Sequence, residues 1–259
     1  MLAAVVFVPS APLLVPELAG PAAPDTEPVR RAALDAVAAA NELGIDRWVA
    51  VGTADDAGPG PVCEPGRGTF ARFGVDVEVA IDPAVATDPV VGTGAAVAGS
   101  VSRMSLSALI AGWIAGRMSL GPLRVCSVGS TTPPAECAAT GAALAAGLDA
   151  SSERVAVLVV GDGSTALTDK APGGGRRESA VTLTDTIVAA LGSADTTILA
   201  ALDPQTCDAE GVGGRVAWQV AAGLVGDRPA RAVLDFADAP FGVGYVVSTW
   251  IVDDGEHDR

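Results

Sequence analysis

With 259 residues, 49% of them apolar, the chain is long enough for one large α/β domain or two small ones and can bury a sizeable core. Aromatics are only 4%, so that core must be aliphatic. A net charge of −15, from 31 acidic against 16 basic residues, argues against nucleic acid and anionic membrane surfaces as partners, since both are bound through Lys and Arg.

Residues 2–8 are continuously apolar and predict a strand buried on both faces. The run stops at Pro9 and delivers Ser10 into a turn bracketed by Pro9 and Pro12, a place where a site residue is expected. Asp25-Thr26 can cap a helix with Pro28 in its first turn. Val29, Ala33, Val37 and Ala40 then share a face, and Gly44 supplies the stop. Residues 47–51 predict a second buried strand that runs out through Gly52-Thr53 towards Asp55 and Asp56, followed by a Gly/Pro-rich loop over 58–66. Residues 75–81 alternate and predict an exposed or edge strand, and 105–115 a helix.

A strand over 123–128 and an Ala-rich helix over 135–148 come next. Residues 154–160 are the clearest buried strand and lead straight into GDGSTALTDKAPGGG, 161–175. Helices are expected over 179–191 and 214–224, then a β-hairpin of 232–236 with 243–252 around Ala239-Pro240-Phe241-Gly242. Alternating strands and helices predict an α/β sheet covered on both faces. The Gly/Pro stretches at 52–68 and 171–175 have the character of loops, so a single domain is expected over 1–252 with a charged tail over 253–259.

The N-terminus lacks a basic segment and is interrupted by Pro9, Pro12 and Pro16, unlike a signal peptide. The longest helix-like apolar stretch, 104–116, is too short to span a bilayer. A cytoplasmic protein without a membrane partner is the expectation. Cys63, Cys126, Cys137 and Cys207 form no C-x-x-C pair and read as free thiols of a reducing compartment.

The chain has one histidine, His257, in the charged tail. A Ser-His-Asp or Cys-His system needs a histidine held beside the nucleophile. A 2-His-1-carboxylate iron site needs two histidines, and the scattered cysteines do not make a zinc site. Carboxylate, hydroxyl, Lys and backbone chemistry remain. Asp162, Ser164, Thr165, Asp169 and Lys170 follow the end of a buried strand, where open α/β sheets bind ligands. If the strands before Ser10, Thr53–Asp55 and Asp162 are neighbours, these groups line one crevice. Read without a ligand, GDGST is a tight turn, its glycines giving φ > 0 and its Asp and Ser bonding locally. An Asp-based Mg²⁺ or Ca²⁺ site is a further reading, against ordinary solvated acids.

Three segments together resemble the catalytic-subunit family of the class III extradiol ring-cleavage dioxygenases. FVPSAPLLVPELAG (7–20) resembles the family's opening strand and its Pro-His-x-Pro-like turn. VVGDGSTALTDKAPG (159–173) resembles its strand followed by Ser-Gly-Asp-x-Ser-His and Ala-Pro-Gly. DFADAPFGVGYVVSTW (235–250) resembles its closing hairpin. The resemblance implies a mixed central β-sheet flanked by helices, with the site at strand C-terminal ends, and a homo-oligomer, with which the mean hydropathy of +0.41 is compatible. It also places Ser10 and Thr165 where the family has iron-binding histidines, and no histidine occurs near 53–56. No iron, other metal or cofactor is therefore expected.

The expected protein is a non-catalytic or repurposed homologue without the iron site. Its candidate crevice is Ser10, Thr53, Asp55, Asp162, Ser164 and Thr165, open to a small molecule or serving a structural role. One alternative is an enzyme of another class, using Asp162 with Ser10 or Thr165. A further one is ring cleavage with histidine from another chain.

Overall fold

The computed structural model describes residues 1–55, 61–64, 66–81 and 104–253. Asp56, residues 58–60 and 65 of the 58–66 stretch, His257 and the tail beyond Asp253 lie outside the described residues; Val62–Cys63, expected as part of a loop, form β3. In chain order the elements are β1 Leu2–Val8, α1 Pro16–Ala19, α2 Ala23–Asn41, β2 Arg47–Ala54, β3 Val62–Cys63, β4 Gly66–Thr69 and β5 Glu78–Ile81. Next come α3 Leu106–Met118, β6 Leu123–Gly129, α4 Pro134–Asp149, β7 Val155–Val160 and α5 Glu178–Ser193. The chain closes with α6 Thr196–Ala200, α7 Pro204–Ala209, α8 Arg215–Val225, β8 Ala230–Asp238 and β9 Tyr245–Val252.

The fold is mixed α/β. Among the described residues a seven-stranded sheet runs in the order β3-β6-β2-β7-β1-β9-β8. Its centre, β6-β2-β7-β1, is parallel, while β3, β9 and β8 join antiparallel. Three of the parallel strands, β1, β2 and β7, carry continuous apolar runs because helices cover both faces, whereas β6 buries Arg124 and Ser127. Val5, Phe7, Val49, Val51, Val157 and Val159 face α4, α5 and α8. Their alternates Val6, Val8, Trp48, Ala50, Leu158 and Val160 face α2 and α3. The predicted strand at 75–81 shortens to β5, which among the described residues pairs with β4 alone and alternates exposed and buried side chains.

One helix start differs from expectation. Asp25-Thr26 do not cap α2, which begins at Ala23 and carries Pro28 inside it. Thr26 is fully buried, and its hydroxyl donates to the Ala23 carbonyl and accepts from Arg30 at 2.7 Å. Arg30 also donates to the Leu14 carbonyl at 2.7 Å, fastening the proline-rich segment after β1 onto α2. Thr26 is thus spent on anchoring the Pro9–Pro16 loop, and Pro24, with its preset φ, takes the first turn.

Candidate functional site at the strand C-terminal edge

Because β2, β7 and β1 are adjacent, the residues following them meet at one sheet edge. The Ser10 backbone N–H donates to Asp162 Oδ1 at 2.7 Å. The Ser10 hydroxyl lies 3.5 Å from that of Ser107 in the first turn of α3. Ser107 in turn straddles Thr53: its Oγ accepts from the Thr53 N–H and donates to the Thr53 carbonyl, each at 3.2 Å. Gly52 makes this approach possible, since a Cβ there would stand 2.2 Å from Ser107 Cβ. On the other side the Thr53 hydroxyl reaches the Gly213 carbonyl at 3.5 Å. Gly213 leads into α8, whose N-cap Gly214 donates its N–H to the Asp162 carbonyl at 2.7 Å. This sheet edge is therefore flanked by the N-terminal ends of α3 and α8, with Ser10, Thr53 and Asp162 brought together between them.

The glycines of Gly161-Asp162-Gly163 do not serve a positive φ, as a tight turn would require; neither is among the positive-φ glycines. They serve close approach. A Cβ on Gly161 would fall 2.6 Å from Gly214 Cα, and one on Gly163 would fall 2.9 Å from the Gly244 carbonyl oxygen. Local side-chain bonding is present one residue later, where Ser164 Oγ accepts from the Ala166 N–H at 3.1 Å.

Asp162 is the electrostatic centre. Burial pushes its carboxyl up to about 7, only partly offset by the Ser10 N–H. The phenol of buried Tyr245, at the start of β9, is raised by burial and by the charge of Asp162. A carboxyl poised near neutrality, hydrogen-bonded to the Ser10 backbone, can donate or accept a hydrogen bond or shift a proton.

The other expected crevice residues divide. Asp55 is exposed in the turn after β2. Ser164 is fully buried, its hydroxyl donating to the Glu210 carbonyl at 2.6 Å, so it fastens the loop rather than facing a ligand. The Thr165 side chain packs over Gly211 and Gly173, where an added Cβ would lie 2.1 and 2.6 Å from its Oγ1. No hydrogen bond joins Ser164 or Thr165 to Ser10, Thr53 or Asp162 among the described residues. The hinge of this loop is Glu210. Its carboxylate takes Arg177 Nε and the Ser179 hydroxyl, both at 2.7 Å, while its carbonyl holds Ser164 and the Thr165 N–H.

The Ser179 and Arg177 bonds hold the Glu210 carboxyl below its usual range. The stability it contributes is thus present above the unfolded carboxylate pKa and lost as pH falls through the lowered folded value. Glu210→Gln should lower the thermal midpoint at neutral pH and less so in acid; equal midpoints at neutral pH in differential scanning calorimetry would refute this role.

Sequence reasoning missed a second polar group on this edge. Glu64, just after β3, accepts the Ser105 N–H and Ser105 hydroxyl, each at 2.7 Å, and the hydroxyl of fully buried Ser127. Ser105 also caps α3 through the Ala108 N–H at 3.1 Å. An S-x-x start for the α3 helix is visible in the sequence; its carboxylate partner, 41 residues away, is not.

Iron of the kind the resemblance implies does not fit these residues. Ser10 and Thr165 offer neutral hydroxyls, poor donors for Fe(II), and Asp162 is held towards its neutral form. Among the described residues no group of three or more His, Cys, Asp or Glu side chains could hold a metal ion. Nor, among them, is any helix long and apolar enough to cross a membrane.

No family model matches the chain, and no curated protein does. Among solved structures it is similar to the uncharacterized protein JW3007 from Escherichia coli K12, with a TM-score of 0.54 and 16% identity, over 96% of this chain and 99% of that one. At that identity the likeness shows a shared fold.

Proposed function

We propose that this chain is a homologue of the class III extradiol dioxygenases that has kept the strand-end crevice and replaced its iron chemistry with binding of a small polar molecule. The observation that carries the reading is the desolvated Asp162 carboxyl, tied to Ser10 where the resemblance implies an iron-binding histidine. Hydroxyls at Ser10 and Thr53 and a carboxyl near neutrality suit a ligand with its own hydroxyl or carboxyl groups, taken up by hydrogen bonds. The full length of the likeness to a solved α/β structure supports the fold side of the proposal. Self-association of the subunits belongs to the same proposal and rests on the resemblance.

The test is the mass of the purified protein under native conditions against the denatured chain mass. The expected result is a multiple of the chain, with or without an organic adduct that Asp162→Asn weakens. Iron in a one-to-one ratio, or yellow ring-opened product from protocatechuate supplied with Fe(II) and O₂, overturns it.

A second reading has one observation in its favour. A carboxyl near 7 is matched to general acid–base work at neutral pH. Asp162, however, engages the backbone of Ser10 and not its hydroxyl, so activation of Ser10 as a nucleophile has no hydrogen bond behind it. Proton transfer to a bound ligand by Asp162 alone is the form of catalysis this geometry allows.

A further inference from the structure

Cys63 and Cys126, far apart in sequence, are register partners across the antiparallel β3–β6 pair. The next pair in that ladder is Glu64 with Val125, and the Glu64 N–H donates to the Val125 carbonyl at 3.2 Å. Hydrogen-bonded and non-hydrogen-bonded pairs alternate along an antiparallel ladder, so Cys63–Cys126 is a non-hydrogen-bonded pair, the kind with Cα atoms about 4.5 Å apart and side chains on one face. That separation lies inside the ~4.4–6.8 Å range that a disulfide spans. Cys126 is buried on the α4/α8 face of the sheet, and Cys63 is part-exposed on the outermost strand. Both are free thiols, and Cys63 is close enough to act on the Cys126 thiol electrostatically.

We propose that this pair is an oxidation site, closing to a cross-strand disulfide when the protein meets a peroxide. Burial pushes the Cys126 thiol up to about 12, so Cys63, the accessible member, reacts first. The Cys63 thiolate attacks the peroxide O–O bond, giving the sulfenic acid and, with a proton, water. The Cys126 sulfur then displaces the sulfenic hydroxyl as a second water, forming the S–S bond; the two thiols are oxidised and one hydrogen peroxide is reduced. Cys137 and Cys207 are buried on α4 and α7 and have no such partner in register. The site bears on the crevice because β3 is two residues long and carries Glu64 next to Cys63. A covalent tie at Cys63 fixes Glu64 against Ser105, Ser127 and the start of α3.

The experiment treats the full-length reduced protein with hydrogen peroxide, quenches, and alkylates it in denaturant. Loss of two of the four alkylatable thiols, recovered by dithiothreitol, with a peptide map linking Cys63 to Cys126, is the expected result. Cys63→Ser should leave Cys126 fully alkylatable after the same treatment. Four alkylatable thiols after peroxide, a link joining two chains, or Cys63 over-oxidised to sulfinic acid with Cys126 still reduced would each overturn the proposal.

Discussion

Gly141→Ala is expected to destabilise the protein by about 2–4 kcal/mol, measured as a fall in the urea midpoint. Helices α4 and α8 cross in backbone contact. A Cβ on Gly141 would stand 2.2 Å from the Val220 carbonyl oxygen and 2.5 Å from the Leu224 nitrogen. From the opposite helix, a Cβ on Gly223 would stand 2.6 Å from the Ala138 carbonyl oxygen. These neighbours are main-chain atoms with no rotamer to change, so the methyl must push the helices apart. The loosened core includes Leu144, Leu148, Val220 and Leu224. The gain in helix propensity from Gly to Ala, at most about 1 kcal/mol, does not cover that loss. Gly116 is the control. It is exposed in α3, and a Cβ there meets nothing within 4 Å. Gly116→Ala should therefore raise stability by up to about 1 kcal/mol. If both substitutions moved the midpoint in the same direction, close helix approach would not be what Gly141 serves.

Much of this fold is legible because its signals are local. The apolar runs within β1, β2 and β7 are uninterrupted, the pattern of strands buried on both faces, while β6 is broken by Arg124 and Ser127. Ser105 and Gly226, an N-cap and a C-cap, sit where local chemistry places them. The neighbourhood of Ser10 and Asp162 is conditional on strand order, which periodicity does not encode. It becomes a contact only through the placement of β7 between β2 and β1. Glu64 and Cys63 are hidden for another reason. They belong to a two-residue strand and the residue after it, inside the stretch expected as a Gly/Pro-rich loop over 58–66, too short to show any period, and their partners lie at the N-cap of α3 and on β6. The glycines of GDGST read as turn formers, whereas their function is to let the Asp162 loop touch Gly214 and Gly244. A single sequence cannot separate these two uses of glycine, since both amount to the absence of a Cβ. Ser164 is misplaced by the same limit: a serine after a strand end reads alike whether it faces a ligand or, as here, the carbonyl of Glu210.

Replacing Asp162 by Asn is expected to stabilise the protein above neutral pH and to leave it nearly unchanged in acid. The native carboxyl titrates near 7 against an ordinary value of 3.8. Between those two values the folded protein holds a proton that the unfolded chain has released, so stability falls as pH rises through this window. Below it both states are protonated and nothing is lost; above it both are ionised and the burial penalty is complete. Because the residue keeps partial exposure, the difference should be about 1–3 kcal/mol rather than the ~4 kcal/mol of a full three-unit shift. Asn retains an oxygen to accept the Ser10 N–H, so the substitution removes the charge and leaves the contact in place. Raised Asp235 and lowered Glu27, Asp203 and Glu210 contribute pH dependence to both proteins alike and cancel in the comparison. Urea unfolding at roughly pH 5 and pH 8, run on both proteins, isolates the effect. A wild-type-minus-variant difference that grows with pH marks Asp162 as a carboxyl kept desolvated at the cost of stability, which is what a crevice retained for binding or proton transfer predicts. A flat difference would mean that water reaches the carboxyl freely, and the proposed ligand site would lose the observation that carries it.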